Sequence, residues 1–332
     1  MHPALQAVLT IVIGVGGCVG YFWGANQILD KLIFPARGAH IARNISRANM
    51  VRPWLFLFPA LFALGLYLAY PVVATLWLSL TDRDQGGAFV GLANYRQMMG
   101  EPKFWEAMRN NMLWLIVVPA ASTGFGLLAA QLTDRIRWGN LAKSLVFMPM
   151  AISFVGASVI WKLVYDFRPE GQDQIGVLNA IWVALGGDPQ TWLTITPWNN
   201  FLLMVVLIWI QTGFAMVILS AALRGIPEET VEAAIVDGAN PFQIFFRIKV
   251  PQIMPTIVVV WTTITLVVLK VFDIVLAMTN GQWETQVLAN YMYDKMFRAF
   301  DWGVGSAAAM VIMILVLPIL IWNVLNARKE MR

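Results

Sequence analysis

Seven stretches of this chain are long and apolar enough to cross a lipid bilayer, and they constrain its fold more than any other feature. A helix needs about 20 consecutive apolar residues to cross the hydrocarbon core. The stretches are Ala4–Gln27, Trp54–Thr81, Asn111–Thr133, Leu145–Tyr165, Trp198–Leu223, Thr256–Asn280 and Gly303–Ala327. Strands of a membrane barrel would appear instead as short segments of alternating hydrophobicity. The sequence therefore predicts an all-α fold, a polytopic transmembrane helix bundle.

The composition is typical of a membrane protein, because 59% of the 332 residues are hydrophobic and only 13% are charged. Soluble domains average about 25% charged residues. Cys18 is the one cysteine, which excludes an internal disulfide, and His2 and His40 have no acidic neighbours at ligand spacing. We therefore expect no metal site. We also expect the net charge of +4 to meet membrane lipid rather than nucleic acid.

The distribution of Lys and Arg predicts the orientation in the membrane. Loops 28–53 and 134–144 and the C-terminal tail are basic, whereas the loop 166–197 is acidic. Cytoplasmic loops carry an excess of Lys and Arg. The N-terminus is therefore expected outside the cell and the C-terminus in the cytoplasm. The basic residues are Lys31, Arg37, Arg43, Arg47, Arg52, Arg135, Arg137, Lys143, Arg328, Lys329 and Arg332.

A charged segment, Glu228–Pro255, separates the fifth and sixth apolar stretches. Pro227 suits the first turn of a helix, and Gly238 offers a C-terminal stop eleven residues on. Asn240–Pro241 is typical of a second cap and first turn, and Pro251 is expected to close that helix. The sequence thus predicts two short helices joined by a glycine corner, on the cytoplasmic side.

Few side chains inside the apolar stretches could carry chemistry. Lys270 and Asp273 are three residues apart, so on one helix they would share a face and pair. Such a pair is either a polar point on a substrate path or a self-satisfied ion pair. A set of aromatic and polar residues could bind a sugar or, alternatively, join helices by hydrogen bonds. That set is Trp209, Gln211, Thr212, Trp261, Thr262, Thr263 and Thr265.

The chain has no P-loop sequence, no Gly-x-Ser-x-Gly, no His-Glu-x-x-His and no paired cysteines. We therefore expect neither ATP binding by a P-loop nor an enzyme active site. A transporter driven by protons or sodium would need intramembrane acids or inverted repeats, and Asp273 is the one candidate acid. A secondary transporter is therefore a less favoured alternative.

The charged segment resembles the EAA loop of ABC importer permeases. The pattern is Glu-Ala-Ala, three residues, Gly, nine residues, Ile, one residue and Val-Pro, with Val250 where the family has Leu. The residues that carry the resemblance are Glu232, Ala233, Ala234, Asp237, Gly238, Ala239, Ile248 and Pro251. The segments Phe89–Leu92 and Trp54–Pro59 also resemble carbohydrate-importer permeases. The family's Gly-Gly-Pro turn is replaced here by Gly281–Trp283.

This resemblance implies a type I ABC importer permease in a bacterial inner membrane, with a six-helix core and one extra N-terminal helix. Residues 1–53 would form the added transmembrane helix, retained rather than cleaved as a signal peptide, and its basic loop. Residues 54–327 would form the core, with the conserved transmembrane region at about 106–324 and the EAA coupling loop at 224–255.

The resemblance also implies partners and roles. A second permease would complete the path, two ATPase subunits would bind ATP and magnesium, and an external solute-binding protein would deliver the cargo. This chain would bind no cofactor. Glu232 would face the ATPase, while Phe242, Phe245 and Phe246 would hold the second short helix to the spans. The expected cargo is an α-glucoside disaccharide, with glycerol 3-phosphate as an alternative, and Trp209, Gln211, Trp261, Thr262 and Asp273 are candidates for its path.

Overall fold

A computed structural model describes residues 3–35, 41–82, 86–134 and 136–330. Of the residues singled out above, His2, Arg37, His40, Arg135 and Arg332 lie outside the described residues. The chain divides into two compact units, residues 1–74 and 75–332. The division falls inside a helix, downstream of residue 53, where the sequence predicts the added segment to end. The assignment of residues 1–53 as an addition stays a prediction.

The first unit is built from two long helices. Helix α1 is Pro3–Ile28 and continues through a π-helical turn, Leu29–Ile33. Helix α2 is Ile41–Leu64, and a second π-helical turn, Gly65–Ala69, leads into α3, Tyr70–Ser79. The Tyr21 hydroxyl donates to the Leu55 carbonyl at 2.7 Å, which ties the two long helices together.

The second unit begins inside α3 and continues with a short hairpin, β1 (Thr81–Asp82) paired antiparallel with β2 (Ala88–Phe89). The rest of its described part is mainly helical. Its helices are α4 Ala93–Met99, α5 Pro102–Thr133, α6 Gly139–Phe147, α7 Phe154–Val164, α8 Val177–Ala184, α9 Trp198–Arg224, α10 Glu228–Val236, α11 Pro241–Gln243, α12 Val250–Gln252, α13 Met254–Leu269, α14 Asp273–Met278, α15 Leu288–Tyr293 and α16 Trp302–Glu330. Single 3₁₀ or π-helical turns join them at Met148–Ala151, Trp192–Thr194, Ile244–Lys249 and Asp294–Arg298.

Helices α5 and α9 form the centre of the second unit, and α13 packs against both. Trp114 of α5 and Leu203, Leu207 and Met216 of α9 are completely or almost completely buried in the apolar core there. Gly126 allows the close approach of the two helices, since a Cβ at that position would collide with the Cβ of Ala215. The core therefore places the two ends of α9 at a fixed separation, about 40 Å by the rise of an α-helix.

Five of the described helical segments are long and apolar enough to cross a membrane, and seven if each of two bent helix pairs counts as one span. The predicted membrane bundle is confirmed, but the prediction of one uninterrupted span over Leu145–Tyr165 is wrong. The chain bends there by 106° between Ala151 and Phe154. Ser153 causes the restart, because its hydroxyl caps α7 by accepting from the Gly156 N–H at 3.1 Å.

The sixth apolar stretch is also interrupted. Helix α13 ends at Leu269, where the Lys270 and Val271 N–H groups bond to carbonyls three residues back, and α14 begins at Asp273. Lys270 and Asp273 therefore lie on different helices. The prediction that they share one helix face is wrong, because the closing turn lies between them.

Two glycines of α5 offer a matched test of this packing. Gly126→Val should destabilise the protein by about 1–3 kcal/mol, because the added side chain overpacks the contact with Ala215. Gly124→Val should have little effect, since a Cβ at Gly124 meets nothing within 4 Å. The measurement is the melting temperature of each detergent-purified variant, and equal melting temperatures would contradict the close packing.

Candidate functional site

The charged segment follows α9 directly and begins with α10, whose N-terminal turn carries Glu228 and Glu229. Carboxylates are favourable there because they face the positive end of the helix dipole. The helix ends in a Schellman arrangement. The Gly238 N–H bonds to the Ile235 carbonyl at 3.0 Å, and the Ala239 N–H bonds to the Ala234 carbonyl at 2.9 Å. Gly238 has φ +82°, a left-handed conformation that glycine adopts without a Cβ penalty. The predicted glycine corner is confirmed.

Asn240 opens the second helical element with a capping box. The Gln243 N–H donates to Asn240 Oδ1, and the Asn240 N–H donates to Gln243 Oε1, both at 2.9 Å. Two otherwise unpaired backbone donors are thereby satisfied. The predicted cap at Asn240–Pro241 is confirmed, and it starts the second element two residues after the glycine corner.

The second element runs without a break from Pro241 to Gln252, so the prediction that Pro251 ends it is wrong. A π-helical turn over Ile244–Lys249 precedes Pro251, and the wider turn accommodates a residue that has no N–H to donate. The chain bends by 71° between Gln252 and Met254, where Ile253 is buried. The element therefore turns directly into the span α13.

Side-chain exposure divides the charged segment into a buried and an open face. Ala234, Ile244 and Ile253 are buried, whereas Glu232 is exposed and Val236 and Phe242 are 86% and 76% exposed. Phe246 is also open, at 61%. The prediction that Phe242 and Phe246 hold the element to the spans is wrong, since Ile244 occupies the inward position. Phe245 is half-buried and packs edge-on against Phe246.

A polar clamp joins α5, α6 and α9 close to the point where the chain enters the charged segment. Asp134, directly after α5, accepts from Arg224 at the end of α9 at 2.7 Å and from Lys143 of α6 at 3.3 Å. Lys143 also donates to the Ser220 hydroxyl at 2.6 Å. Burial raises the pKa of the Asp134 carboxyl, but the hydrogen bonds and charges of Arg224 and Lys143 outweigh this and hold the pKa below its ordinary value. The carboxylate is therefore ionised at neutral pH.

A cavity of about 600 Å³ lies beside this clamp, between α9 and α10. Asp134, Arg224, Glu228, Glu232 and Lys249 contribute charged groups to its wall. Glu232, which the sequence predicts to face a partner, thus lies on an open surface of the segment. It shares the cavity wall with the charged groups of Asp134, Arg224 and Lys249, which come from three other parts of the chain.

The candidate path residues lie in several places. Trp261 and Thr262 line a cavity of about 570 Å³ between α13 and α16, together with Trp322 and Pro318. Trp209 packs edge-on against Trp161 of α7, with ring centroids 5.8 Å apart, and is partly buried against the apolar core.

The remaining two candidates lie apart from that cavity. Gln211 is buried on α9, and Asp273 begins α14, a helix that packs against α7. The structure therefore brings Trp261 and Thr262 together but does not gather all five candidates.

The threonines of this region bond to their own helices. Thr262 donates to the Val258 or Val259 carbonyl at 3.0 Å, Thr265 to Trp261 at 2.8 Å and Thr212 to Ile208 at 2.7 Å. Threonine hydroxyls commonly bond one turn back in this way. These hydrogen bonds neither join helices nor leave the hydroxyl proton for a ligand.

Sequence reasoning missed a set of asparagines that hold the loop between α14 and α15. Four consecutive or near-consecutive residues there have positive φ: Asn280, Gly281, Trp283 and Glu284. Non-glycine residues adopt this conformation only when their surroundings enforce it. The enforcing amides come from the third turn of α5 and the first turn of α9, as the following distances show.

Asn110 Nδ2 donates to the Glu284 and Gln286 carbonyls, both at 2.8 Å. Asn199 Nδ2 donates to the Trp283 carbonyl at 2.7 Å, and Asn200 Nδ2 to the Glu284 carbonyl at 3.0 Å. Two Asn-Asn pairs near the starts of apolar stretches were the sequence signal for this loop.

The chain is similar in sequence to known transport proteins. A sequence profile described as binding-protein-dependent transport system inner membrane component matches residues 122–330. The chain is 65% identical over 334 residues to the alpha-glucoside transport system permease protein AglF of Rhizobium meliloti (strain 1021), with 99% of each chain covered.

Two further relatives differ in their described cargo. Identity is 47% to the osmoprotective compounds uptake permease protein GgtC of Synechocystis sp. (strain ATCC 27184 / PCC 6803 / Kazusa), over 84% of this chain and 100% of the relative. It is 30% to the lactose transport system permease protein LacF of Rhizobium radiobacter, over 86% of this chain and 98% of the relative.

The fold also matches a solved structure. A chain from a bacterial ABC transporter involved in the import of the acidic polysaccharide alginate superposes with a TM-score of 0.73 at 20% identity. The match covers 88% of this chain and 99% of that chain. The predicted fold, that of an ABC importer permease, is confirmed.

The glycine corner can be tested with two substitutions at one position. Gly238→Val should loosen the charged segment by about 1–2 kcal/mol, because a β-branched residue resists the left-handed conformation. Gly238→Asn should cost less, since asparagine tolerates that conformation. The measurement is the rate of proteolytic cleavage within residues 228–255 in membrane vesicles opened to the protease. Equal rates for the two variants would contradict the conformational role of Gly238.

Proposed function

The chain belongs to the family of binding-protein-dependent transport system inner membrane components, and from that we propose that it forms, with a second permease, the path of an α-glucoside into the cell. The observation that carries the cargo is the 65% identity to an alpha-glucoside permease over 99% of both chains. A secondary transporter is not favoured, because the family is described by its dependence on a binding protein.

We propose that the charged segment docks an ATPase subunit, which binds ATP and magnesium and drives transport. The support is the exposure of both charged and apolar side chains in the segment, Glu232 with Val236 and Phe242. Interfaces combine apolar anchors with charges that fix register and partner choice. The Schellman corner and the capping box make this face rigid without help from the partner. The clamp at Asp134 joins α5, α6 and α9 directly before this segment, and Asp134 and Glu232 line the same cavity.

We further propose that the charged segment faces the cytoplasm, with the N-terminus outside and the C-terminus inside. The charge asymmetry of the loops supports this orientation. Asp134, at the start of the basic loop 134–144, pairs with Arg224 at the C-terminal end of α9, whereas the acidic loop 166–197 precedes the N-terminal end of α9. An external solute-binding protein would approach the side of the loop 166–197.

ATPase docking gives a direct prediction. Glu232→Lys and Phe242→Ser should each weaken binding of the cognate ATPase by about 1–2 kcal/mol, or roughly five- to thirtyfold. One variant reverses a charge, and the other removes a ring that is 76% exposed. The measurement is copurification of the ATPase with tagged permease from membranes, with membrane insertion checked in parallel.

Asp188→Lys serves as the control, because it makes the same kind of charge change at the opposite end of α9. It should leave copurification unchanged. Normal ATPase binding in both Glu232→Lys and Phe242→Ser would refute docking through this face.

Cargo selection generates a separate prediction. Loss of the Trp261 ring, which borders the cavity between α13 and α16, should weaken binding of a sugar's apolar face by about 1 kcal/mol. Trp261→Ala should therefore change the relative uptake of trehalose, sucrose and maltose by about fivefold. The control is Trp138→Ala, which removes an exposed indole before α6.

The measurement is initial uptake into proteoliposomes that contain the complete transporter, with lactose and glycerol 3-phosphate as comparison cargoes. Preferential uptake of either comparison cargo by the unaltered protein would overturn the α-glucoside assignment. Unchanged sugar ratios in Trp261→Ala would remove Trp261 from the path while leaving that assignment intact.

A further inference from the structure

The loop between α7 and α9 carries a helix that is almost entirely apolar. Residues 175–187 contain no Asp, Glu, Lys or Arg, and α8 (Val177–Ala184) lies within them. An eight-residue helix is too short to be stable alone in water. A charge-free helix outside the long spans therefore needs both a local support and an apolar environment.

Asn179 supplies the local support. Its Nδ2 donates to the Asp166 carbonyl at 2.8 Å and to the Gln190 carbonyl at 2.9 Å. Its Oδ1 accepts from the Gln190 N–H and from Trp192 Nε1, both at 2.9 Å. The side chain is fully buried, and both of its polar atoms are paired. One face of α8 is therefore fixed to the protein by this asparagine.

These bonds also fix the level of α8 along the bundle. Asp166 lies two residues beyond the end of α7, and a Cβ at Gly176 would collide with the Asp166 carbonyl. After α8 the chain passes Trp192 and enters α9 at Trp198. The helix is thus held where one membrane segment ends and the next begins.

The other face of α8 is open. Val177, Ile181 and Leu185 recur every four residues along the helix and just beyond its end, and their exposures are 54%, 55% and 78%. The surface of the adjoining spans is apolar in the same way, since Leu163 and Trp198 are each 63% exposed. Those span surfaces are apolar because they face hydrocarbon.

We propose that α8 lies in the membrane interface and inserts its open face at the boundary between lipid headgroups and acyl chains. Surface helices bury their apolar face there to a depth of about 5–10 Å. Trp182 and Trp192 pack edge-on with centroids 5.9 Å apart, and tryptophan is enriched at this depth. The lipid surface stabilises the apolar face, while Asn179 sets its height relative to α7 and α9. This inference goes beyond the proposed function and depends on neither the cargo nor the ATPase.

Spin labels can report the depth of this face. In a Cys18→Ala background, which removes the one native cysteine, Ile181→Cys and Leu185→Cys are labelled separately in the assembled transporter. The transporter is reconstituted in vesicles of phosphatidylethanolamine and phosphatidylglycerol. Glu170→Cys, on the exposed polar part of the same loop, is the control. The measurement is the collision rate of each label with oxygen, which partitions into lipid, and with a water-soluble nickel chelate.

Labels at Ile181 and Leu185 should show a several-fold higher ratio of oxygen to nickel collisions than the label at Glu170. High nickel accessibility at both positions would show a face in water and overturn the proposal. Low accessibility to both reagents would show a face covered by protein, either the second permease or a binding protein, and would also overturn it.

Discussion

Backbone hydrogen bonding imposes the strictest condition on this chain, because a break in a membrane helix leaves N–H and C=O groups without water to satisfy them. The protein meets this condition at two breaks with a side chain or a turn of its own sequence. Ser153 caps α7 after the 106° bend, and at the end of α13 the Lys270 and Val271 N–H groups bond to carbonyls three residues back. Hydrogen-bonding groups are thus placed where the helices stop. Within the helices the backbone bonds to itself, so the side chains there can be apolar.

Asparagine is the side chain that the protein uses most consistently for this purpose. Its side-chain amide has both a donor and an acceptor, so one asparagine can satisfy the hydrogen-bonding groups of two separate segments of irregular backbone. Asn179 supports α8 in this way, and Asn110 and Asn200 support the strained turn at Glu284 from two different helices. The irregular loops are therefore attached to the ends of α5, α7 and α9, and a movement of these helices moves the loops with them. Helices α5 and α9 also end near Asp134 at the opposite side, so these two helices connect the supported loops with the polar clamp.

The sequence predicted the fold well wherever the signal was local. Gly238 and Asn240 were correctly assigned because left-handed backbone and helix capping depend on neighbouring residues alone. The failures concern interruptions inside apolar runs, such as the bend before Phe154 and the closing turn at Lys270. Apolar composition records that a stretch lies in the membrane but not how many helices cross it. The inward role expected of Phe242 failed because hydrophobicity does not identify which neighbour covers a side chain, and Ile244 is the residue that is buried. The loop-supporting asparagines escaped notice because their partners lie more than 80 residues away in sequence.

The distribution of the path candidates bears on how a path is built. A path enclosed by one chain would need Trp209, Gln211, Trp261 and Asp273 to converge on a single cavity. Instead Trp209 is packed against Trp161 and partly buried against the core, and Trp261 borders an apolar cavity between α13 and α16. The threonines near Trp261 donate to their own backbone, so under the proposed function the groups that bind a sugar's hydroxyls would come largely from elsewhere. In the complex proposed above, a second permease would supply the polar wall of the path opposite the rings of this chain.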